Sequence, residues 1–138
     1  MPDPFLDTNI IIRLVTGDDL HKQAAAAQLF KDIEDGSLTI AAPDTVIVDA
    51  VFVLASPRTY NLPRVQIAGA LTRLVRLPHF KVQHRRIVLR ALDLYGSSGR
   101  LDFGDTMLLA AMEQQRSPQV YSYDTDFDGV AGVTRLEP

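Results

Sequence analysis

The chain contains no cysteine, which excludes disulfides, thiolate metal sites and thiol nucleophiles and fits a reducing compartment. It also lacks any apolar run near the roughly 18 residues needed to span a membrane. Asp3, Asp7, Arg13, Asp18 and Asp19 interrupt the first twenty positions, so no signal region is expected there. These absences point to a soluble, cytoplasmic protein with no membrane contact. Acidic residues are missing from positions 50–92, where eight bases stand instead: Arg58, Arg64, Arg73, Arg76, Lys81, Arg85, Arg86 and Arg90. The flanking segments are acid-rich, and the formal net charge is −3. This distribution implies two surfaces of opposite sign, the basic one suited to phosphates, with Arg85, Arg86 and Arg90 as candidate contacts for a phosphate polymer. Solvated helix faces would produce the same block of charge.

With 138 residues and 46% hydrophobic content the chain is long enough for one compact core and too short for two ordinary domains, so a single domain over 1–138 is expected. "DPFLD" reads as a short buried strand ending at Asp7, followed by a first helix through "IIIRLV" that Thr8 or Asn9 caps and Gly17 ends. "DDLHKQAAAAQLFKDIEDG" carries the start and stop signals of an amphipathic helix. "SLTIAAP" predicts a strand. "DTVIVDAVFVLAS" is ambiguous, because its β-branched residues suit a strand while its length and its Asp44 or Thr45 start suit a helix; helix is the reading adopted. Helices are predicted in "LPRVQIAGALTRLVR", "HRRIVLRALDLYG" and "DFGDTMLLAAMEQQ", and strands in "FKV", "QVYSYD" and "GVTRLEP", the last at an edge. Short strands alternating with helices imply a parallel sheet covered on both faces, an α/β fold.

In an open parallel sheet ligands bind beyond the carboxyl ends of the strands. Asp7 closes the first strand, Asp105 lies in the first turn of a late helix, and Asp124 closes "QVYSY", so three carboxylates from distant parts of the chain are expected at one edge. Asp49 stands alone within "VIVDAVFVLA". A charge buried unpaired in so apolar a stretch costs several kcal/mol, so it must shift its pKa, reach water or bind a cation. Each acid also has a plain structural reading. Asp7 can cap the first helix, and Asp102 with Asp105 has the spacing of a capping box. Asp49 can face solvent, and Asp124 can be a turn residue.

"YSYDTDFDGVAG" places Asp124, Asp126, Asp128 and Gly129 at positions 1, 3, 5 and 6 of a calcium loop, but position 12, which needs a bidentate Glu, is Arg135. The segment before the loop is strand-like and only three residues follow it, so the flanking helices are missing and the calcium reading fails. Asp124 therefore joins Asp7, Asp49 and Asp105, with Asp126 a fifth candidate and Asp128 a solvated turn residue. Oxygen ligands without His or Cys select Mg²⁺ or Mn²⁺, and these metals act on phosphates.

The blocks "FLDTNIIIRLVTGDD", "PDTVIVDAVFVL", "LDFGDTMLLAAMEQQ" and "VYSYDTDF" resemble, in order and spacing, those of PIN-domain ribonucleases, and most closely the bacterial VapC-type toxins. The similarity covers almost the whole chain. It implies a three-layer α/β/α sandwich with a central parallel sheet of four to five strands, a Mg²⁺- or Mn²⁺-dependent endoribonuclease, a homodimer, and a cognate antitoxin that blocks the active site. The family's four acids fall on Asp7, Asp49, Asp105 and Asp124, its supporting polar positions on Thr8, Asn9 and Ser122, and an auxiliary acid on Asp126. RNA contacts then fall to the basic block, including Arg85, Arg86 and Arg90. Asp49 departs from the usual Glu by one methylene, Ser122 from the usual Thr, and Gly104 from another small residue. A degenerate domain that binds RNA or a protein without turnover is the alternative. A phosphoacceptor receiver domain fails because no Lys follows Lys81, and an aspartate-based phosphatase is a more remote reading because "FLDTN" offers one Asp where two are normally needed.

Overall fold

The computed structural model describes residues 2–138. Its elements run α1 (Thr8–Val15), α2 (Leu20–Glu34), β1 (Ile40–Ala42), α3 (Asp44–Ala55), α4 (Arg64–Val75), β2 (Phe80–Val82), α5 (Arg85–Ser97), α6 (Phe103–Gln115), β3 (Gln119–Tyr121), a 3₁₀ turn (Thr125–Gly129) and β4 (Thr134–Leu136). Among the described residues the fold is α/β, with six helices, short parallel strands and no closed barrel.

The strands pair in two ladders, and both are parallel. β1 lies beside β2 with Ile40 opposite Phe80 and Ala42 opposite Val82. β3 lies beside β4 with Val120 opposite Arg135. The expected first strand shrinks to one bridge, Phe5 opposite Ala41, held by Leu6 N–H to the Ala41 carbonyl at 3.0 Å and by Ala41 N–H to the Pro4 carbonyl at 2.9 Å. Proline without an N–H at Pro2 and Pro4 limits what this segment can donate, so hydrogen bonding stops short of the continuous sheet that the sequence suggests.

Two boundaries also differ from expectation. The cap of α1 is not Thr8 or Asn9 but Asp7, as its plain structural reading has it, extended at φ −88° and accepting from the Thr8 amide. The helix ends on Thr16, not at Gly17, because the Thr16 amide and hydroxyl both donate to the Ile12 carbonyl, at 3.0 and 2.8 Å. Where α2 stops, Gly36 takes φ +82°, the left-handed turn that glycine enters without strain. The ambiguous stretch is helical, as its length suggested, and α3 buries Val46, Ile47, Ala50, Val51 and Leu54.

The main core joins α1, α3, α4 and α5 around β1 and β2, with Ile47, Leu54, Ile67, Leu71, Phe80 and Leu92 fully enclosed. Phe30 meets Phe80 edge to face, ring centres 5.5 Å apart. Arg64, at the start of α4, donates to the carbonyls of Tyr95, Ser98 and Leu101 and lies 4.4 Å over the Tyr95 ring. The guanidinium thus pins the head of one helix to the tail of the next. A Cβ at Gly96 would stand 2.9 Å from the Ala68 side chain, so glycine permits the close approach of α4 and α5. A smaller core of Leu101, Leu109, Met112, Val120 and Phe127 fastens β3 and the 3₁₀ turn to α6. That second core is what brings Asp124 toward Asp105. Among the described residues no helix is long and apolar enough to cross a membrane.

Candidate active site

Asp102 opens α6 with a closed capping box. The Asp105 amide donates to Asp102 Oδ1 at 2.8 Å, and the Asp102 amide donates to Asp105 Oδ2 at 3.4 Å. Asp105 is half-buried. Its carboxyl is held above the ordinary value of 3.8, first by burial and then by the negative charge of Asp102, with Asp124 adding to the push. Asp105 and Asp124 therefore share one neighbourhood, as the strand-end argument expects, and Asp102 belongs to it as well as capping its helix.

Asp124 is positioned by its own loop. Its amide donates to the Ser122 hydroxyl at 2.9 Å, and its Oδ1 accepts from the Asp126 amide at 2.9 Å, which starts the 3₁₀ turn. Ser122 is in turn fixed from β4, by its amide to the Leu136 carbonyl at 2.9 Å and by Arg135 donating to its carbonyl at 3.0 Å. Asp126 leans instead toward Arg100, Nε to Oδ1 3.9 Å, so the fifth candidate is partly neutralised. Asp128 is not a free turn residue. Arg135 holds it at 2.8 and 3.3 Å and keeps its carboxyl below the usual range. The arginine that occupies the last calcium position thus already pairs with an acid of that loop.

Asp7, at the cap of α1, and Asp49, within α3, stand on two helices that pack together. Both are exposed. The Thr8 hydroxyl donates to the Val46 carbonyl at 3.5 Å, setting the start of α1 against the turn of α3 that precedes Asp49. Asp49 reaches water along an exposed stripe with Thr45 and Phe52, so the burial penalty that its apolar neighbours suggested does not arise. Asn9 is exposed. Phe52 escapes the sequence reading as one more apolar residue, although its i, i+3 spacing from Asp49 is the signal that places both on one face.

Charge pairing alone does not mark the site, since Asp19, Asp32, Glu34 and Asp35 also stand outside any ion pair among the described residues. Asp3, Asp18, Asp93, Glu113, Asp126, Asp128 and Glu137 each stand within an ion pair, and Asp44 lies 2.9 Å from His84 Nδ1. Asp7, Asp49, Asp102, Asp105 and Asp124 have none among the described residues. An all-oxygen set of uncompensated carboxylates fits a hard divalent cation by its donor chemistry. As they stand, no three acid or histidine side chains among the described residues are gathered closely enough to hold an ion between them.

The basic block is smaller in space than in sequence. Arg85 donates to the carbonyls of Leu77, at 3.1 Å, and Phe80, and its Nε is buried without a partner. Arg90 is bound to Glu113 at 2.8 Å and to Asp93 at 2.6 Å. Of the three candidate RNA contacts only Arg86 is exposed and outside any ion pair. Lys81 pairs with Asp3.

Comparison with curated proteins gives no match. The PIN domain family matches residues 5–133. Members of that family are generally nucleases, hydrolases that use divalent metal ions. The match takes in Asp7, Asp49, Asp105 and Asp124 and ends just before β4, and the chain belongs to the PIN domain family.

Proposed function

We propose that this protein is a metal-dependent endoribonuclease and the toxin of a toxin–antitoxin pair, cytoplasmic and homodimeric, restrained by a cognate antitoxin. The observation that carries the nuclease reading is the match of the PIN domain family over residues 5–133, with Asp7, Asp49, Asp105 and Asp124 all outside any ion pair among the described residues. The resemblance of four sequence blocks to VapC-type toxins supports the toxin role and the RNA substrate. Asp7, Asp49, Asp105 and Asp124 would hold Mg²⁺ or Mn²⁺, with Asp126 as an accessory. When bound, the ion neutralises phosphoryl oxygens and lowers the pKa of a bound water.

The chain's own groups do the rest. The Ser122 hydroxyl fixes the loop that presents Asp124. The Asp102 box fixes the turn that presents Asp105, and Thr8 ties the Asp7 and Asp49 elements together. In hydrolysis the water oxygen bonds to phosphorus as the bridging P–O bond breaks, and the leaving oxygen takes up a proton. Without a cation the carboxylates repel a phosphodiester, so activity waits on metal.

A second reading has its own support. Asp49 is one methylene shorter than the Glu usual in the family, which favours a degenerate domain that binds RNA or a protein without turnover. Cleavage of total RNA by purified protein with Mn²⁺, Mg²⁺ or chelator, beside Asp7→Asn, separates the two. Discrete metal-dependent fragments that vanish in the variant support the nuclease. Intact RNA in every lane, from folded protein free of antitoxin, supports the binding module.

A further inference from the structure

Arg100 joins the two segments that carry Asp105 and Asp124. Its backbone belongs to the first. The Ser98 hydroxyl accepts from the amides of Arg100 and Leu101, each at 3.3 Å, the Leu101 carbonyl accepts from Arg64, and Asp102 follows to open the capping box. Its guanidinium belongs to the second. Nη2 donates to the Asp126 carbonyl at 3.4 Å, Nε stands 3.9 Å from Asp126 Oδ1, and the Asp126 amide is the donor that holds Asp124 Oδ1. A Cβ at Gly129 would lie 2.8 Å from Nη2, so the bare backbone of the 3₁₀ turn is what leaves room for the guanidinium.

The main chain of Arg100 is thus fixed while its side chain is loosely held. Every other arginine–carboxylate pair among the described residues closes to 3.3 Å or less. The Arg100 side chain is 64% exposed, and its one long bond to a carbonyl leaves most of its N–H donors open to water. Arg135, the other cation against this loop, is the reverse case. Its side chain is 15% exposed and already committed to Asp128, Glu137 and the Ser122 carbonyl.

A cation with open donors at the rim of an acidic site suits an anion that must enter that site. A phosphodiester is such an anion, and its charge gathers on the non-bridging oxygens as the water oxygen bonds to phosphorus and before the bridging P–O bond has broken. A guanidinium presents two parallel N–H groups to two such oxygens and keeps its proton throughout, while the leaving oxygen takes its proton from elsewhere.

We propose that Arg100 is a catalytic residue: it turns from Asp126 to the scissile phosphate and binds the non-bridging oxygens on which charge gathers. The inference rests on the nuclease reading above and adds to it a positive group that the carboxylates cannot supply. A clamp that merely ties the two acid-bearing segments together would use the same contacts, so the test must tell the two apart.

Wild type, Arg100→Ala and Arg100→Lys are compared in steady-state cleavage of one labelled RNA, with melting temperatures and with Mn²⁺ binding measured in the absence of RNA. Arg100→Ala should lower kcat about 100-fold at nearly constant KM, the loss typical of one donor to a developing oxyanion. Its melting temperature should hold, since an exposed ion pair contributes little. Its Mn²⁺ binding should hold or tighten, because a positive charge has left the neighbourhood of the acids. Arg100→Lys, which keeps the charge without the fork, should recover part of kcat. Free guanidinium, added well below unfolding concentrations, should speed Arg100→Ala and leave wild type unchanged. An unchanged kcat in Arg100→Ala overturns the assignment and leaves the nuclease reading standing. A loss of kcat that follows weaker Mn²⁺ binding or a lower melting temperature, and that guanidinium does not mend, assigns Arg100 to the clamp and also overturns it. Wild type that cuts no RNA in any metal removes both proposals.

Discussion

Asp102 and Asp105 cap one another at the start of α6, and the same contact sets two like charges side by side. The hydrogen bonds favour the arrangement while the charges oppose it. Asp102→Ala removes the cap and should cost about 1 kcal/mol, or roughly 4 °C in melting temperature. Asp105→Asn keeps an acceptor for the Asp102 amide and relieves the repulsion.

The sign of the pH effect follows from the raised carboxyl. An acid whose folded-state pKa is raised holds its proton more tightly when folded, so its contribution is fully present below the ordinary value of 3.8 and is lost as pH rises through the raised value. Asp105→Asn has no such loss, so its stability relative to wild type should improve as pH rises from below 3.8 through the raised value. Urea midpoints of both proteins across that range check the claim; a difference that stays constant or shrinks would contradict it. The carboxylate's candidate role predicts loss of cleavage in the same variant.

Arg85 and Arg86 are neighbours in sequence with opposite employment. Arg85 turns inward to two backbone carbonyls, and Arg86 stays exposed outside any ion pair. Arg85→Ala should destabilise the fold by about 2 kcal/mol, since it leaves the Leu77 and Phe80 carbonyls without their charged donor. Arg86→Ala should leave stability within about 0.5 kcal/mol. It should weaken RNA binding and reduce the slope of log affinity against log salt by about 0.7, the single-strand value for one phosphate contact. Denaturation and salt-dependent binding, run on both variants, decide between them; equal effects of the two on the salt slope would show that Arg85 also reaches RNA.

The contrast explains what could be read in advance. Helix positions, parallel strands and the capping box at Asp102 follow from local spacing, and the structure has them. The tasks of the arginines do not, because they depend on distant partners: Arg90 on Glu113, Arg64 on the tail of α5, Arg135 on Asp128. A run of bases without acids looks like a phosphate-binding face only until the chain folds and supplies acids and carbonyls from elsewhere. Asp49 misled for a similar reason. Its sequence neighbours are apolar, yet helical geometry puts it beside Thr45 and Phe52 at the surface. The first strand also came out shorter than its apolar residues suggest, since β-branching and burial say little about how many amides a proline-bearing segment can offer.

Asp49 tests whether the site works with the acid that it has. Because the side chain is exposed, replacing it should change stability by no more than about 0.5 kcal/mol, so effects on cleavage report on the site alone. A carboxylate one methylene short must meet a cation through water or by a shift of its helix, and either weakens the hold. Asp49→Glu should therefore lower the Mn²⁺ concentration for half-maximal cleavage by about ten-fold, the scale on which supporting contacts tune metal affinity. Asp49→Asn, which keeps the shape and removes the charge, should move the requirement the other way. Metal titrations of cleavage in the three proteins give the answer. A Glu variant that needs more metal than wild type would mean that α3 is set at a distance fitted to the shorter acid, and that Asp49 is a matched ligand and no sign of decay.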